Sequence, residues 1–224
     1  MASALNSGQG NNGANAGREP VGARASKRRI NEAHIIQAAE SVFAEHGYGG
    51  ATTASIAEAA GLPKANVHYY FGTKKALYQA VLDNILSLWL APMEDIQVDA
   101  DPAMALKGYI AEKMRYTRER PSASKVFANE LLHGAVHLET HLKTDLKALV
   151  EEKAAVLNTW IEQGRMKPVD PAHLFFLIWA STQTYADFDV QIAAVLGKAH
   201  ITPEDFQTAE ETVTHMVLAT CGLE

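Results

Sequence analysis

The sequence has a single cysteine, no long hydrophobic run and few glycine or proline clusters outside its N-terminus. Cys221 cannot form a disulfide within the chain, which fits a reducing compartment, so we expect a cytoplasmic protein. The longest uninterrupted apolar stretch is LFFLIWA at 174–180, far short of the roughly 20 residues that a membrane-spanning helix needs. No membrane association is therefore expected.

Catalytic signatures are also missing from the sequence. No GxSxG, HExxH, P-loop or CxxC pattern occurs, so the chain is not expected to be an enzyme. The segment GQGNNG at 8–13 matches GxGxxG, but no apolar strand precedes it and no helical pattern follows it. It lies in residues 1–26, whose Asn, Gly and Ala content predicts a disordered tail.

Charge is unevenly distributed along the chain. Residues 24–77 hold seven Lys or Arg against four Asp or Glu, a net charge of +3, whereas residues 78–224 carry a net charge of -9. A basic N-terminal unit followed by an acidic remainder is typical of a protein in which the small unit alone meets nucleic acid.

The apolar pattern predicts helices, and strands are nearly absent. A first helix ends at Gly47, and Thr52 or Thr53 can cap a short second helix that ends at Gly61. A short third helix follows over about 64–70, and Thr73 can cap a long fourth helix. Two short helices joined by a glycine-containing turn are typical of a helix-turn-helix. We assign residues 27–72 to this DNA-binding domain.

The third helix is expected to form the DNA-reading surface. Val67 and Phe71 fall on one side, where they can pack on the preceding helices, and the polar side chains point elsewhere. Lysine and asparagine near the start of such a helix can reach base edges in the major groove, and tyrosine hydroxyls suit phosphate oxygens. We interpret the aromatic row HYYF as part of this surface, with an ordinary aromatic core as the alternative.

Residues 42–78, VFAEHGYGGATTASIAEAAGLPKANVHYYFGTKKALY, resemble the TetR family of bacterial transcription regulators. The family pattern has F...G closing the first helix, IA..AG in the second and LYYHF..K..L in the third, and this chain keeps every spacing. It departs from that pattern in reading HYYF, so that a histidine stands at 68 and a tyrosine at 70.

The resemblance implies which residues contact DNA. It assigns a phosphate contact to Thr53 and base contacts to Lys64, Ala65 and Asn66. It assigns contacts with the DNA backbone to Tyr69, Tyr70 and Lys74, and it places His68 at a position where a family tyrosine contacts phosphate. A basic group can serve as an arm in the minor groove or belong to the solvated tail: Arg24, Lys27, Arg28 and Arg29.

In the TetR family the remainder of the chain is a helical effector-binding and dimerisation domain, and we assign residues 73–224 to it. The pattern predicts helices over 102–119, 121–133, 138–165, 171–192 and 203–220. The last two have wide apolar faces. The resemblance implies an all-α homodimer that binds a palindromic operator in double-stranded DNA.

Polar residues on otherwise apolar helix faces indicate an effector site. Trp179, Gln183 and Asp187 recur every four residues on one face, and Lys113 and Glu130 are further inward candidates. Unpartnered buried polar groups cost about 1–3 kcal/mol each, which a bound polar ligand would offset. The alternative is that these groups satisfy one another or cross the dimer interface.

Segments such as HLFFLIWASTQTYADF further resemble TetR-family regulators of pyrimidine utilisation, whose effector is uracil or thymine. Such a ring suits an amide such as Gln183, a donor such as Lys113 and stacking on Trp179 or Trp89. The resemblance thus implies a repressor that a pyrimidine releases from DNA, with no other cofactor. A different small polar effector is the alternative.

A metal sensor and a helical protein-interaction module remain open as further alternatives. The metal hypothesis depends on Glu130 and on three histidines at four-residue steps, His133, His137 and His141. Gly134 interrupts that helix and weakens the hypothesis, so no metal site is predicted.

Overall fold

A computed structural model describes residues 21–223, with side chains from residue 26 onward. Within this range the chain forms helices and turns, without strands. The α-helices are α1 (Val21–Gly50), α2 (Thr53–Ala59), α3 (Lys64–Phe71), α4 (Lys74–Leu90), α5 (Pro102–Glu119), α6 (Pro121–Leu132), α7 (Glu139–His141), α8 (Lys147–Glu162), α9 (Pro171–Asp187), α10 (Asp189–Val195) and α11 (Pro203–Cys221). A 3₁₀ helix spans Ala91–Asp95, and a π-helical segment, Leu142–Leu146, joins α7 to α8. The predicted all-α fold is confirmed.

The helix-turn-helix begins where the sequence predicts it. Gly47 adopts φ 65 and ψ 173, which no helix contains, so the regular part of α1 stops there. The Thr52 hydroxyl then accepts from the Ser55 amide at 3.0 Å and caps α2, and Gly61 turns the chain with φ 60. The predicted Thr73 cap of α4 is also confirmed, since its hydroxyl accepts from the Ala76 amide at 3.1 Å.

One apolar core joins α1 to α4 with α6. Ile35, Phe43, Val67, Leu77 and Leu82 are fully buried or nearly so within it. Further along the chain, α6 contributes Ala123, Val126 and Phe127 to the same core. The helix-turn-helix therefore does not pack as an isolated unit, because α6 is part of the core on which it rests.

A second core holds α5, α8, α9 and α11 together with the 3₁₀ helix. Trp160, Phe175, Ile178 and Leu106 are completely buried in it. Three of the four α-helices start with a capping Asp or Thr followed by proline: Asp101, Asp170 and Thr202. These helices provide the scaffold on which the rest of the second domain is built.

The structure departs from the predicted segmentation in several places. α1 already begins at Val21, so residues 21–26 of the predicted disordered tail are helical, whereas residues 1–20 lie outside the described part. The predicted helix over 171–192 is interrupted at Phe188, where φ -122 and ψ 33 separate α9 from α10. The predicted helix over 138–165 contains the π-helical segment.

Candidate DNA-binding surface and effector cavity

The N-terminal end of α3 presents its side chains to solvent. Lys64 and Ala65 are exposed, Asn66 is half-buried, and Val67 is buried beneath them. Pro63 precedes the helix and leaves its first turn without a side-chain cap. This arrangement leaves the three predicted base-reading residues on an open helix end, as docking into a major groove requires.

His68 connects the two helices of the motif. Its Nδ1 lies 3.0 Å from the Gly72 carbonyl oxygen, and its Nε2 lies 3.4 Å from the Thr53 hydroxyl. A carbonyl can only accept, so Nδ1 donates this bond, and the Thr53 hydroxyl can donate a hydrogen bond to Nε2. The two predicted phosphate-contacting residues thus position each other across α2 and α3.

The two tyrosines of α3 differ in their surroundings. The Tyr69 side chain is 74% exposed, whereas Tyr70 is half-buried and its hydroxyl accepts from the Asn31 amide at 2.8 Å. The two rings meet edge to face at 5.1 Å. Tyr69 is therefore free to meet DNA, and Tyr70 ties α3 to α1.

The basic group that was a candidate minor-groove arm lies within helix α1. Its Arg28 pairs with Glu32 at 2.8 Å, so the group is not an extended arm.

The Lys74 side chain does not point to the DNA-binding surface as predicted. Its ammonium donates to the backbone oxygens of Tyr48 at 2.7 Å and Ala51 at 3.0 Å, and lies 4.6 Å from the centre of the Tyr48 ring. The predicted grip on the DNA backbone assumed a free side chain, but this one is turned inward. In this structure Lys74 holds the α1–α2 turn, because carbonyls that have lost their helical partners attract the cation.

A cavity of about 350 Å³ lies between α4, α5, α6 and α9. Four of the six predicted effector residues line it: Trp89, Lys113, Trp179 and Gln183. The remaining wall is apolar: Leu86, Leu90, Phe127, Leu131, Leu142 and Leu146. An apolar cavity of this size with a few convergent polar groups is typical of a small-ligand site.

Lys113 is the most unusual residue of the cavity. It is only 3% exposed, its ammonium lies 4.4 Å from the centre of the Trp89 ring, and it makes no hydrogen bond to the described residues. Burial lowers the pKa of Lys113 to about 7, and the negative charge of Asp187 opposes this effect. The side chain therefore has unused donor capacity that a ligand carbonyl or anion can fill.

The two tryptophans have different functions in the wall. The Trp179 indole N–H donates to the Tyr109 hydroxyl at 2.6 Å, and its ring is stacked near Phe175. Trp89 packs edge to face on Phe127 with ring centres 4.8 Å apart. Since the Trp179 N–H is already bonded, this residue offers a flat apolar surface to a ligand rather than a donor.

Two predicted effector residues lie elsewhere. Asp187 accepts from the Ser124 hydroxyl at 2.6 Å and lines an adjoining groove that shares Gln183 with the cavity. Burial raises the pKa of Asp187, and the Ser124 bond opposes this rise. Glu130 does not line the cavity and is buried in a separate cluster with Tyr78 and His137. Leu131, the next residue of α6, lines the cavity, whereas the Glu130 carboxylate bonds to Tyr78 of α4.

The histidines of the metal hypothesis have separate partners. His133 bonds to the Asn129 carbonyl oxygen, His137 to Glu130, and His141 to Asp145 at 2.8 Å. The turn after α6 separates them, as the glycine in the sequence suggested. Within residues 21–223 no group of three or more His, Cys, Asp or Glu could hold a metal ion.

The sequence reading missed the apolar wall of the cavity. Leu86, Phe127 and Leu131 were indistinguishable from ordinary core positions, because a leucine that lines an empty space and one that fills a core follow the same helical spacing. The sequence signal for the cavity was the presence of two polar residues, Lys113 and Gln183, on otherwise apolar helix faces.

Large apolar side chains remain exposed on α9 to α11. They include Phe176 at 50%, Phe188 at 57% and Val195 at 81% exposure. Within residues 21–223, none of the helices combines the length and hydropathy that crossing a membrane requires. Large exposed apolar patches are common at surfaces that contact other proteins.

Two family models match the chain. Residues 35–81 match "Bacterial regulatory proteins, tetR family", and residues 82–224 match "YcdC-like protein, C-terminal region". The two matches meet within α4. Together they cover both cores, with the first on the helix-turn-helix and the second on the domain that contains the cavity.

Characterised relatives and solved structures agree with these matches. The chain is 44% identical to the HTH-type transcriptional regulator RutR of Escherichia coli strain K12, over 82% of this chain and 87% of that protein. It is 31% identical to the HTH-type transcriptional repressor NicS of Pseudomonas putida, over 66% and 69% of the two chains. The ketosteroid transcriptional regulator KstR2 of Mycobacterium tuberculosis shares the fold with a TM-score of 0.67 and 20% identity, over 85% and 94%. The chain thus belongs to the TetR family and is a DNA-binding transcriptional regulator similar to RutR.

Proposed function

We propose that this regulator is a homodimeric repressor that binds a palindromic operator and is released from it by a small planar pyrimidine such as uracil or thymine. The cavity with Lys113 and Gln183 on its wall is the observation that carries this proposal. The resemblance of the effector region to regulators of pyrimidine utilisation supports the pyrimidine, and the similarity to NicS, a repressor by name, supports repression.

The chemistry of the cavity suits a uracil ring. The ring presents carbonyl acceptors and imide donors at its edge, and it has flat faces. The Lys113 ammonium can donate to a ring carbonyl, and the Gln183 amide can both donate to and accept from the imide edge. The rings of Trp89 and Trp179 give apolar surfaces on which the faces can stack.

The homodimer is supported by the exposed apolar face of α9 to α11. A two-fold interface buries the same patch of both subunits and places two α3 helices on one side of the assembly. Two such helices, spaced by one helical turn of DNA, would read two half-sites of a palindrome.

We expect the protein to bind a fragment from upstream of its own or a neighbouring gene tightly, and uracil to release it. The measurement is fluorescence anisotropy of the labelled fragment at fixed salt, titrated with protein with and without uracil. Thymine and a purine base such as adenine serve as matched ligands of similar and larger size. Operator binding that responds to none of the pyrimidines would overturn the effector while leaving the DNA-binding activity in place.

Asn66→Ala should alter which DNA sequence is preferred. The Asn66 amide stands at the start of α3, where a bidentate bond to adenine discriminates against other bases by about 1–3 kcal/mol. We expect affinity for the operator to fall by roughly 10-fold or more, with affinity for unrelated DNA unchanged. Lys75→Ala, a substitution at an exposed lysine of α4, is the comparison, because loss of a positive charge should weaken both DNAs alike. Equal losses on both DNAs for Asn66→Ala would contradict a base contact.

A further inference from the structure

A buried polar cluster joins the DNA-binding unit to α6 and lies outside the effector cavity. We call it the Glu130 junction and define it by Tyr48 at the end of α1, Lys74 and Tyr78 on α4, Glu130 on α6 and His137 in the turn that follows α6. Its members come from both sides of the boundary between the two family matches. It therefore connects the two domains directly.

Glu130 is the centre of the junction. Its side chain is 6% exposed, one carboxylate oxygen accepts from the Tyr78 hydroxyl at 3.0 Å, and the other accepts from the His137 backbone N–H at 2.6 Å. The His137 Nδ1 lies 3.3 Å from both oxygens. Burial and the bond to Glu130 raise the pKa of Tyr78 above its usual value. A buried carboxylate with this many donors holds α6, α4 and the turn in one fixed arrangement.

Ring contacts extend the junction to the helix-turn-helix. The His137 imidazole lies 4.9 Å from the Tyr48 ring and 5.1 Å from the Tyr78 ring, centre to centre. On the far side of Tyr48, the Lys74 ammonium bonds to the backbone oxygens of Tyr48 and Ala51. Ala51 directly precedes Thr52, the cap of α2. An uninterrupted series of contacts thus runs from Glu130 to the start of the helix-turn-helix.

The same helix that carries Glu130 also forms part of the cavity wall. Phe127 and Leu131 of α6 line the cavity, and Glu130 is the immediate neighbour of Leu131. The turn beyond is held by Ala135, whose φ of 55 is rare for a residue other than glycine, and whose N–H donates to the Glu130 carbonyl oxygen at 2.8 Å. This bond ties the end of α6 to the turn that carries His137.

We infer that Tyr78, Glu130 and His137 are positioning residues that couple occupancy of the cavity to the orientation of the helix-turn-helix. A ligand that moves Phe127 and Leu131 shifts the Glu130 carboxylate, and the shift reaches α4 through Tyr78 and α1 through His137 and Tyr48. The inference rests on the proposed function in that it requires a ligand in the cavity. Coupling of this kind needs two arrangements of the junction with different affinities for DNA.

Tyr78→Phe and His137→Ala test the junction. The first removes the hydroxyl bond to Glu130, and the second removes the imidazole with its contacts to Glu130, Tyr48 and Tyr78 while the His137 backbone N–H bond to Glu130 stays. We expect uracil to bind both variants, measured by calorimetry, with a dissociation constant within about threefold of the wild type. In the wild type uracil should weaken operator affinity by about 5- to 150-fold, the range of typical coupling energies. In the variants this factor should fall below about threefold.

Tyr116→Phe is the matched control, since it removes a tyrosine hydroxyl from α5, where the ring stacks under Arg115. It should keep the wild-type coupling factor. A full coupling factor in Tyr78→Phe and His137→Ala, with only a lower melting temperature, would show that the junction is merely structural and overturn the inference.

A second substitution separates failure of the junction from failure of the pyrimidine effector. Gln183→Trp places an indole into the cavity without any ligand and should weaken operator binding by at least fivefold. If the junction transmits occupancy, adding Tyr78→Phe should remove that weakening, which makes the two substitutions strongly non-additive. Additive losses would overturn the inference, whether or not uracil binds the wild type.

Discussion

Arg120→Leu is expected to lower the free energy of unfolding by about 3–5 kcal/mol, which is a large part of the stability of a domain of this size. The Arg120 guanidinium, at the start of α6, makes two hydrogen bonds to Glu40 of α1 and one to Asn84 of α4 at 3.3 Å. The Glu40 side chain is only 4% exposed, so removal of the arginine leaves a charge buried without its partner. Urea unfolding at one protein concentration measures the loss.

The double substitution Glu40→Met and Arg120→Leu is the control for that experiment. Replacement of both members of a buried pair by apolar residues of similar volume is often close to neutral, so the double variant should recover most of the lost stability. A loss below about 1 kcal/mol in the single variant would show that water reaches Glu40 and screens the pair.

The helices of this protein could be predicted from local signals, because their caps are sequence-local. Thr52, Thr73, Asp101, Asp170 and Thr202 each accept from an amide three residues later, and each is followed by a helix that the apolar spacing predicts. The outward position of Lys64 and Ala65 follows in the same way, since Val67 fixes which face of α3 is buried. These features depend on neighbours within one or two turns.

The inward turn of Lys74 and the position of Glu130 could not be predicted in this way. Both depend on partners distant in the sequence: Lys74 on Tyr48 and Ala51, and Glu130 on Tyr78, 52 residues away. Helical periodicity places a residue on the inner face of its helix, but it does not tell which neighbouring helix that face meets. Glu130 is buried, as its position on the inner face predicts, but it meets α4 and the turn after α6, whereas Lys113 and Gln183 line the cavity.

Lys113→Met should abolish the effector response and at the same time stabilise the protein. Burial lowers the pKa of Lys113 to about 7, so below pH 7 the lysine is charged in both the folded and unfolded states and its buried charge carries the full cost. A shift of this size corresponds to about 3–5 kcal/mol. Met has a similar length and can still pack on the Trp89 ring, so the variant should be more stable by about that amount at pH 6.

The pH dependence checks the sign of this effect. Between pH 7 and the unfolded pKa of 10.5 the folded protein holds fewer protons than the unfolded one, so the wild type gains stability as the pH rises. The advantage of Lys113→Met in urea unfolding should therefore be smaller at pH 9 than at pH 6 by about 2.5 kcal/mol. An advantage that does not change with pH would mean that the lysine is not the source of the cost.

The protonation state of Lys113 should also control the affinity for uracil. A ring carbonyl bound to the ammonium favours the charged form, so uracil binding to the wild type should take up a proton near pH 7, and affinity should fall by about tenfold between pH 7 and 8.5. The negative charge of Asp187 acts on Lys113 and opposes the lowering of the Lys113 pKa by burial. Calorimetry in two buffers of different ionisation enthalpy measures the proton uptake directly, and anisotropy with Lys113→Met should show operator binding that uracil no longer weakens. Two outcomes would contradict the carbonyl contact with Lys113: uracil release that persists in Lys113→Met, and uracil binding without proton uptake. Gln183 would then be the polar group that recognises the ring, because it is the other polar side chain on the wall of the described cavity.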